Sequence, residues 1–374
     1  MNCGQIRNSS KEGFFHMKLG IVGLPNVGKS TLFNALTGAK AETDSYSNAA
    51  AKPNIGQAKV PDERLDWLAE YYHPKKYTPA TIDFVDVVGI KKGGGRGNTY
   101  LQTIRQVDAL VHVVRCFESD EIFTEPADAV RDAETLNLEL ILADIELVER
   151  RLERAQKNAK SGDKKYKREV EMCTALLEYL GDGKPASGFE FTDEDKDILQ
   201  DGGLLTIKPV IYAANLDEDG MADYANNAQF KALSALAQEQ GAAVLPVAAK
   251  FEEDIAGMEP EDAAMFMEEL GLTERGLDRL IHTSYDLLGY ISFLTAGEDE
   301  VRAWTITRGT KAPRAAGKVH TDIERGFIRA EIVAFDALKA CGTMNAAKEK
   351  GLVRMEGKEY VMQDGDVTYF RFNV

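Results

Sequence analysis

The run from Gly23 to Ser30 constrains the fold of this chain more than any other stretch. Its sequence, GLPNVGKS, matches the G-x-x-x-x-G-K-[ST] pattern of a phosphate-binding loop. The apolar residues 19–22 before it predict a strand, and residues 31–37 after it predict a helix with apolar side chains at helical spacing. A strand, a glycine turn and a helix N-terminus direct several backbone N–H groups at one point, which favours a polyphosphate. The sequence therefore predicts a nucleotide-binding α/β fold built around this loop.

Each residue type in the loop has a predicted task. Lys29 would reach the β- and γ-phosphates and is the predicted catalytic residue, while the Ser30 hydroxyl would ligate Mg²⁺. Gly23 and Gly28 leave room where a Cβ would collide with phosphate. The predicted phosphate-binding residues are Asn26, Val27, Gly28, Lys29, Ser30 and Thr31.

A second element of a phosphate site follows further along the chain. Residues 80–89 predict a strand that ends in the pattern D-x-x-G, formed by Asp86 and Gly89. After a phosphate-binding loop, the Asp of this pattern holds Mg²⁺, usually through water, and the Gly N–H can sense the γ-phosphate. We therefore expect Asp86 to share the metal ion with Ser30, and Gly89 to contact the nucleotide.

Two stretches beside this strand have the composition of nucleotide switches. Residues 39–61 are polar and rich in small side chains, and residues 91–97 are rich in glycine and basic residues. The second stretch could be a loop ordered by the γ-phosphate or a simple flexible turn, and the residues alone leave both readings open. A helix is predicted between the two stretches, over residues 62–72.

Composition excludes several classes of protein. The net charge of −16 excludes nucleic-acid binding over the whole surface, so any RNA contact needs a local basic patch. No apolar run approaches the roughly 18 residues of a membrane span, so no membrane association is expected. The four cysteines and five histidines are scattered and include no CxxC pair, which argues against structural zinc or disulfides and for a cytoplasmic location. Residues 1–16 are predicted to be a disordered N-terminal extension.

The alternation of strand and helix stops between about residues 127 and 200. Apolar side chains at helical spacing predict an antiparallel, coiled-coil-like hairpin inserted into the nucleotide domain. The basic side chains of this hairpin form a cluster in an acidic protein: Arg150, Arg151, Arg154, Lys157, Lys160, Lys164, Lys165, Lys167 and Arg168. The cluster could be a solvated surface or a contact for RNA or the ribosome.

Strand patterns resume after the hairpin. Strands are predicted at 204–214 and 243–247, and His112, in the predicted strand 109–115, is interpreted as a core histidine rather than a catalyst. From about residue 291 the pattern predicts a small α+β domain without a catalytic constellation, and hence a binding module. Its predicted strands are residues 301–306, 326–333, 359–362 and 367–372, with a helix at 335–340.

Four stretches together resemble one family. They are the phosphate-binding loop, residues 111–117, residues 215–218, and the C-terminal residues 326–330 with 364–366. They resemble the Obg-like ATPase family of P-loop proteins, also called the YchF family, and the resemblance runs from residue 17 to residue 374. It implies a Ras-like P-loop nucleotide domain, a helical coiled-coil insertion, and a C-terminal β-grasp (TGS) domain of α+β type. The implied nucleotide domain comprises residues 17–126 and 201–287. The implied insertion comprises residues 127–200, and the implied C-terminal domain comprises residues 288–374.

The resemblance also implies a function. Family members hydrolyse ATP with Mg²⁺ and associate with ribosomes, so the expected partners are ATP, the ribosome (70S or large subunit) and ribosomal RNA, with a mainly monomeric chain. Related GTPases carry N-K-x-D, whose Asp recognises guanine, whereas this chain has Leu216 and Glu218 in the second and fourth positions. A base site that does not match guanine loses its main discrimination, which favours ATP. The predicted base-site residues are Asn215, Leu216, Glu218, Ala248 and Ala249.

The sequence departs from the family pattern in its switches. Ala50 stands where the family has a Mg²⁺-binding Thr, and Thr124 falls near the position of the family's proposed catalytic His. Ile90 stands where Ras-like enzymes have a water-orienting Gln, and the second switch is shorter than in the family. We therefore expect slow ATP turnover without a partner. A GTPase, or a nucleotide-gated ribosome- or RNA-binding module with negligible turnover, are the alternatives.

Overall fold

A computed structural model describes residues 18–39, 53–87, 99–119, 122–199 and 203–373. These residues form two compact units. The first contains the described residues up to Gly56 and from Phe84 to Leu277, and the second contains Gln57–Asp83 and the described residues from Asp278 onward. Within the described ranges, no helix is long and apolar enough to cross a membrane.

The strands of the described residues, in chain order, are β1 (Lys18–Val22), β2 (Asn54–Lys59), β3 (Lys76–Thr78), β4 (Thr81–Asp86), β5 (Ala109–Arg115), β6 (Val210–Asn215), β7 (Ala243–Val247), β8 (Tyr290–Ala296), β9 (Glu300–Thr307), β10 (Phe327–Ala334), β11 (Arg354–Glu356) and β12 (Asp366–Phe372). The helices are α1 (Lys29–Thr37), α2 (Glu63–Tyr72), α3 (Thr99–Arg105), α4 (Ala129–Ala159), α5 (Lys164–Gly181), α6 (Asp193–Leu199), α7 (Glu218–Ala222), α8 (Ala228–Glu239), α9 (Ala249–Ile255), α10 (Pro260–Glu269), α11 (Gly276–Leu287), α12 (Ala312–Val319), α13 (Thr321–Arg325), α14 (Phe335–Cys341) and α15 (Met344–Glu349).

One sheet has the strand order β2-β4-β1-β5-β6-β7. Its pairs β1–β5, β5–β6 and β6–β7 are parallel. β5 is buried along its whole length, as expected for a parallel strand covered on both faces. The carboxyl ends of parallel strands meet at one edge, where α/β proteins bind their ligands. This edge gathers the loop after β1 and the ends of β6 and β7.

Helices α4 and α5 form the predicted hairpin and pack along each other. Asp128 and Asp163 cap their first turns by accepting hydrogen bonds from the backbone N–H groups of Arg131 (3.0 Å) and Lys165 (2.9 Å). The hairpin has its own apolar core, which includes Ile141, Val148, Met172, Leu176 and Leu180. Seven of the nine predicted basic side chains are exposed, whereas Arg151 and Arg168 are partly buried and form ion pairs with Glu169 and Asp195.

A buried carboxylate fastens the base of the hairpin. Asp144, on α4, is fully buried and accepts hydrogen bonds from the backbone N–H groups of Leu205 and Thr206 (both 2.8 Å) and from the Thr206 hydroxyl (2.7 Å). Because residues 204–208 turn around this carboxylate, the predicted strand 204–214 begins only at Val210.

The second unit is built on a mixed sheet of order β11-β10-β12-β8-β9-β3. The β8–β9 and β10–β12 pairs are antiparallel, whereas β12–β8 and β3–β9 are parallel. Its core combines apolar side chains of the strands with Ala312, Ala315 and Ala316 of α12. This is the α+β architecture expected from sequence. The predicted strand 359–362 is wrong, because that segment makes a single bridge, between Lys311 and Val361, and the nearby strand is β11.

His112 on β5 is a core residue, as its sequence context predicted. The side chain is 2% exposed and its ring centroid lies 5.2 Å from that of Tyr212. Burial, with a smaller effect of Lys29, lowers the pKa of His112 to about 3. The histidine is therefore neutral in the folded chain at neutral pH.

This burial predicts a pH dependence of stability. His112 gains a proton on unfolding wherever the pH lies between about 3 and its ordinary value of about 6.5, so its contribution is complete above 6.5 and lost as the pH falls. Between pH 7 and pH 5 we expect His112 to remove about 2 kcal/mol of unfolding free energy. Urea unfolding of the natural chain and of His112→Gln at both pH values measures this loss, which should disappear in the variant. The exposed His282, changed to Gln, is the control, and an equal pH dependence in all three proteins would contradict the prediction.

Candidate nucleotide-binding site

The two loop glycines allow close approach of the surrounding protein. Gly28 precedes α1 at φ 96°, and a Cβ there would lie 2.4 Å from Nδ2 of Asn215. A Cβ on Gly23 would lie 2.5 Å from the carbonyl oxygen of Val113 on β5. Real Cβ atoms do not approach other heavy atoms this closely, and neither the Val113 backbone nor the Asn215 amide, which is hydrogen-bonded at both ends, can move away easily. Both positions therefore require glycine even without a ligand. The loop is therefore packed against β5 and β6, in addition to leaving space for a phosphate.

Lys29 is the first residue of α1 and lies largely inside the protein, at 8% exposure. Its ammonium group donates a hydrogen bond to the carbonyl oxygen of Leu24 within the loop (2.6 Å). Burial lowers the pKa of Lys29 to about 8, although the nearby Asp86 acts in the opposite direction. An anion bound in the loop would favour the charged ammonium, as the predicted phosphate-binding role requires.

The structure brings together Ser30 and Asp86, the two predicted Mg²⁺ ligands. The Ser30 hydroxyl donates a hydrogen bond to Oδ2 of Asp86 (3.0 Å), and the Asn54 side chain also hydrogen-bonds to this carboxylate. Asp86 is 3% exposed at the end of β4, and its Oδ1 has no hydrogen-bond partner among the described residues. Burial raises the pKa of Asp86.

These groups fit a magnesium ion. A hydroxyl oxygen beside a buried, incompletely paired carboxylate is the hard oxygen donor set that Mg²⁺ prefers. No group of three or more His, Cys, Asp or Glu side chains suited to a metal occurs in the described part of the chain. Mg²⁺ here would therefore need further oxygens from a phosphate or from water, which is its usual mode of binding.

Asn215 connects three parts of the site. Its Nδ2 donates to the carbonyl oxygen of Val27 in the loop (2.9 Å), and its Oδ1 accepts from the backbone N–H of Ala249 (3.0 Å). The side chain is buried at the end of β6, beside the first residue of α9. Because both ends of the amide are used within the protein, Asn215 holds the phosphate-binding loop against the segment after β7. The sequence indicated Asn215 only as part of the base site.

The other predicted base-site residues differ in exposure. Leu216 is 3% exposed, belongs to an apolar cluster with Ala214 and Met221, and donates its N–H to the Val247 carbonyl (2.8 Å). Ala248 and Ala249 are buried, whereas Glu218, the first residue of α7, is exposed.

The remaining predicted site residues lie at the edge of the loop or outside the described ranges. Asn26 is exposed at φ 64°, and Thr31 is partly buried in α1. Gly89, Ala50, Ile90 and residues 91–97 lie outside the described residues. Thr124 is described and exposed.

Sequence reasoning assigned no role to Asn54, which hydrogen-bonds Asp86. The signal was available, because Asn54 lies in the polar stretch 39–61, which has the composition of a nucleotide switch. The contact of Gly23 with Val113 had no such signal, since it depends on the separation of two strands.

Comparison with known proteins identifies the family. Residues 18–172 match a family model described as "50S ribosome-binding GTPase", and residues 290–373 match one named YchF-GTPase_C and described as a protein of unknown function. The ribosome-binding ATPase YchF of Bacillus subtilis (strain 168) is 52% identical over 361 residues, which cover 95% of this chain and 99% of that protein. The chain belongs to the YchF family.

Two further relatives agree with this assignment. Obg-like ATPase 1 of Oryza sativa subsp. japonica is 41% identical over 96% of this chain and 93% of that protein. A solved structure of the Schizosaccharomyces pombe YchF GTPase is 35% identical, covers 96% of this chain and 99% of that chain, and superposes with a TM-score of 0.83. The YchF-family fold predicted from the four sequence stretches, a Ras-like P-loop domain with a further C-terminal domain, is thereby confirmed.

The role of Asn215 in this YchF-family site can be tested directly. Asn215→Ala would leave the Val27 carbonyl and the Ala249 N–H without their partner in a buried position, at a cost of about 1–3 kcal/mol. We expect the affinity for ATP, measured by titration calorimetry with Mg²⁺, to fall about tenfold or more as the loop loses its support. Asn158→Ala, at an exposed position on the hairpin, is the control. Unchanged affinity in Asn215→Ala would contradict the role assigned to this side chain.

Proposed function

We propose that this chain is a Mg²⁺-dependent, ATP-binding and ATP-hydrolysing P-loop protein that associates with ribosomes in the cytoplasm as a nucleotide-controlled switch. The observation that carries the proposal is the meeting of the Ser30–Asp86 pair, Lys29 and the loop at one sheet edge. The names of the relatives from Bacillus subtilis and Oryza sativa support ATP as the substrate.

Catalysis by such a site is mostly positioning and electrostatic stabilisation. The backbone N–H groups of residues 26–31 and the Lys29 ammonium would hold the phosphates, with Lys29 releasing the Leu24 carbonyl to do so. Ser30 and Asp86 would hold Mg²⁺, which when bound neutralises phosphate charge. Gly89 would contact the γ-phosphate through its N–H.

The base site supports ATP over GTP. In N-K-x-D proteins a Lys side chain covers the base, whereas here Leu216 is turned into the apolar core. Among the predicted base-site residues, Glu218 alone is exposed, and it is one methylene longer than the guanine-binding Asp. A site without buried groups that match guanine cannot reject adenine. Asn215, Ala248 and Ala249 shape the pocket through the backbone positions that they fix.

Two observations support the ribosome as a partner. Several relatives are named ribosome-binding ATPases. One matching family model is described as a 50S ribosome-binding GTPase, which favours the large subunit within the 70S particle. The hairpin presents seven exposed Lys and Arg side chains, which suit ribosomal RNA. The chain would act mainly as a monomer.

Base choice is the first test of this proposal. We expect titration calorimetry with Mg²⁺ to give tighter binding of ATP than of GTP. Leu216→Lys with Glu218→Asp restores the N-K-x-D pattern and should shift the ATP-to-GTP affinity ratio toward GTP by about tenfold or more. Asp219→Asn, an exposed neighbour on α7, is the matched control. Tighter binding of GTP by the natural chain would support the alternative, a GTPase of the Obg type, which the description of the S. pombe relative favours.

Turnover is the second test, because the exposed Thr124 falls near the position of the family's proposed catalytic His and carries no imidazole. We expect phosphate release from ATP to be slow in the isolated chain and to rise when 70S ribosomes or large subunits are added. Lys29→Ala should abolish release under both conditions, since it removes the predicted phosphate-binding cation. ATP binding without release, with or without ribosomes, would instead support a nucleotide-gated binding module with negligible turnover.

A further inference from the structure

Residues Gln57–Asp83 begin within the first predicted switch, residues 39–61, and end before the second, residues 91–97, yet they fold as part of the second unit. Strand β3 pairs in parallel with β9, with Lys76 opposite Glu300 and Thr78 opposite Arg302. It is the terminal strand of the second sheet. This segment therefore completes a sheet whose other strands all come from the C-terminal part of the chain.

Side chains reinforce the β3–β9 pairing. The Glu300 carboxylate accepts hydrogen bonds from the Thr78 hydroxyl (2.6 Å) and from the Lys76 ammonium (2.9 Å). The neighbouring Lys75 and Asp299 also form an ion pair (2.8 Å), but both side chains are at least four-fifths exposed. An exposed ion pair of this kind contributes little to stability, so the contacts of Glu300 are the stronger attachment of β3 to β9.

Helix α2 of the same segment is attached at a second point. Arg64 donates from Nε to Asp62 (2.8 Å) and from Nη1 to Oδ2 of Asp364 (2.7 Å). Oδ1 of Asp364 in turn accepts the backbone N–H of Ser292 on β8 (2.8 Å). The Trp67 ring also meets the Phe335 ring edge-on at 5.6 Å.

The other end of the segment continues into the candidate site. β4 begins at Thr81, within Gln57–Asp83, and runs without interruption to Asp86, whose carboxylate accepts the Ser30 hydroxyl. Five of its six residues are buried. A buried strand thus joins the anchored segment covalently to a predicted Mg²⁺ ligand.

We propose that residues Gln57–Asp83 couple the nucleotide site to the C-terminal sheet. Nucleotide with Mg²⁺ would compete for the Ser30 hydroxyl and the Asp86 carboxylate, and the resulting change at the end of β4 alters the stability of the β3–β9 pairing. Coupling is reciprocal, so a partner bound to the C-terminal sheet alters nucleotide affinity by the same factor. This inference rests on the proposed function in requiring that the loop binds ATP.

Hydrogen exchange of the full chain tests the coupling, with a non-hydrolysable ATP analogue and Mg²⁺ as the probe. We expect the analogue to slow exchange of the β3 and β9 amides by about fivefold or more, the lower end of ordinary coupling between sites. In Arg64→Gln with Glu300→Gln, which removes the ion pairs at both attachment points, the slowing should fall below about twofold at β9 and persist at the loop. Lys75→Gln removes only the exposed ion pair and should retain the full effect.

The outcomes of these measurements distinguish a failure of the coupling from a failure of the proposed ATP-binding function. Calorimetry on the same samples reports whether the analogue binds. Binding with slowed exchange confined to the first unit in the natural chain would overturn the coupling and leave the proposed ATP site intact. An equal loss of slowing in Lys75→Gln would also overturn it, because Arg64 and Glu300 would then not be the attachments. No binding at all would overturn the proposed function, and the coupling with it.

Discussion

The two hydrogen bonds of the Asn215 amide are the interaction on which the candidate site depends. They join the Val27 carbonyl in the phosphate-binding loop to the Ala249 N–H at the start of α9. The same contact explains Gly28, because a Cβ at that position would collide with Nδ2 of Asn215. The choice of residue at position 28 of the loop and the position of Asn215 at the end of β6 therefore constrain each other. The parallel sheet brings these segments to one edge, and the amide fixes the distance between them, which sets where the loop N–H groups can meet a phosphate.

The two ionisable groups of the site, Lys29 and Asp86, suit a ligand that carries both negative and positive charge. Burial lowers the pKa of Lys29 and raises the pKa of Asp86, so each charged form is disfavoured by the same loss of water. Their mutual attraction offsets only part of this effect. Phosphate near Lys29 and a cation near Asp86 would each favour the charged form. A magnesium–nucleotide complex supplies both at once, which neither free phosphate nor free metal can do.

Sequence alone predicted those features that depend on local pattern. The loop, the Ser30–Asp86 pair and the hairpin each follow from motif spacing or from a long apolar repeat. The bridging role of Asn215 did not, since it depends on contacts between distant segments. β3 has only three residues, too few for a periodic signal, and its partner β9 is more than two hundred residues away in sequence. The predicted strand 359–362 has apolar residues at strand spacing, but in the structure this segment forms only one β-bridge, between Val361 and Lys311.

The hairpin shows how an acidic chain can meet an anionic partner. Its helix α4 has 31 residues, about 46 Å at 1.5 Å per residue, and the exposed cations occur in its last turns and in the first turns of α5. An apolar core and the Asp144 carboxylate hold the two helices and their base in one arrangement. At physiological salt the field of a charge decays within about 8 Å, so acidic groups near the base hardly affect cations at the tip. A rigid helical pair can therefore present a local basic surface although the whole chain has a net charge of −16.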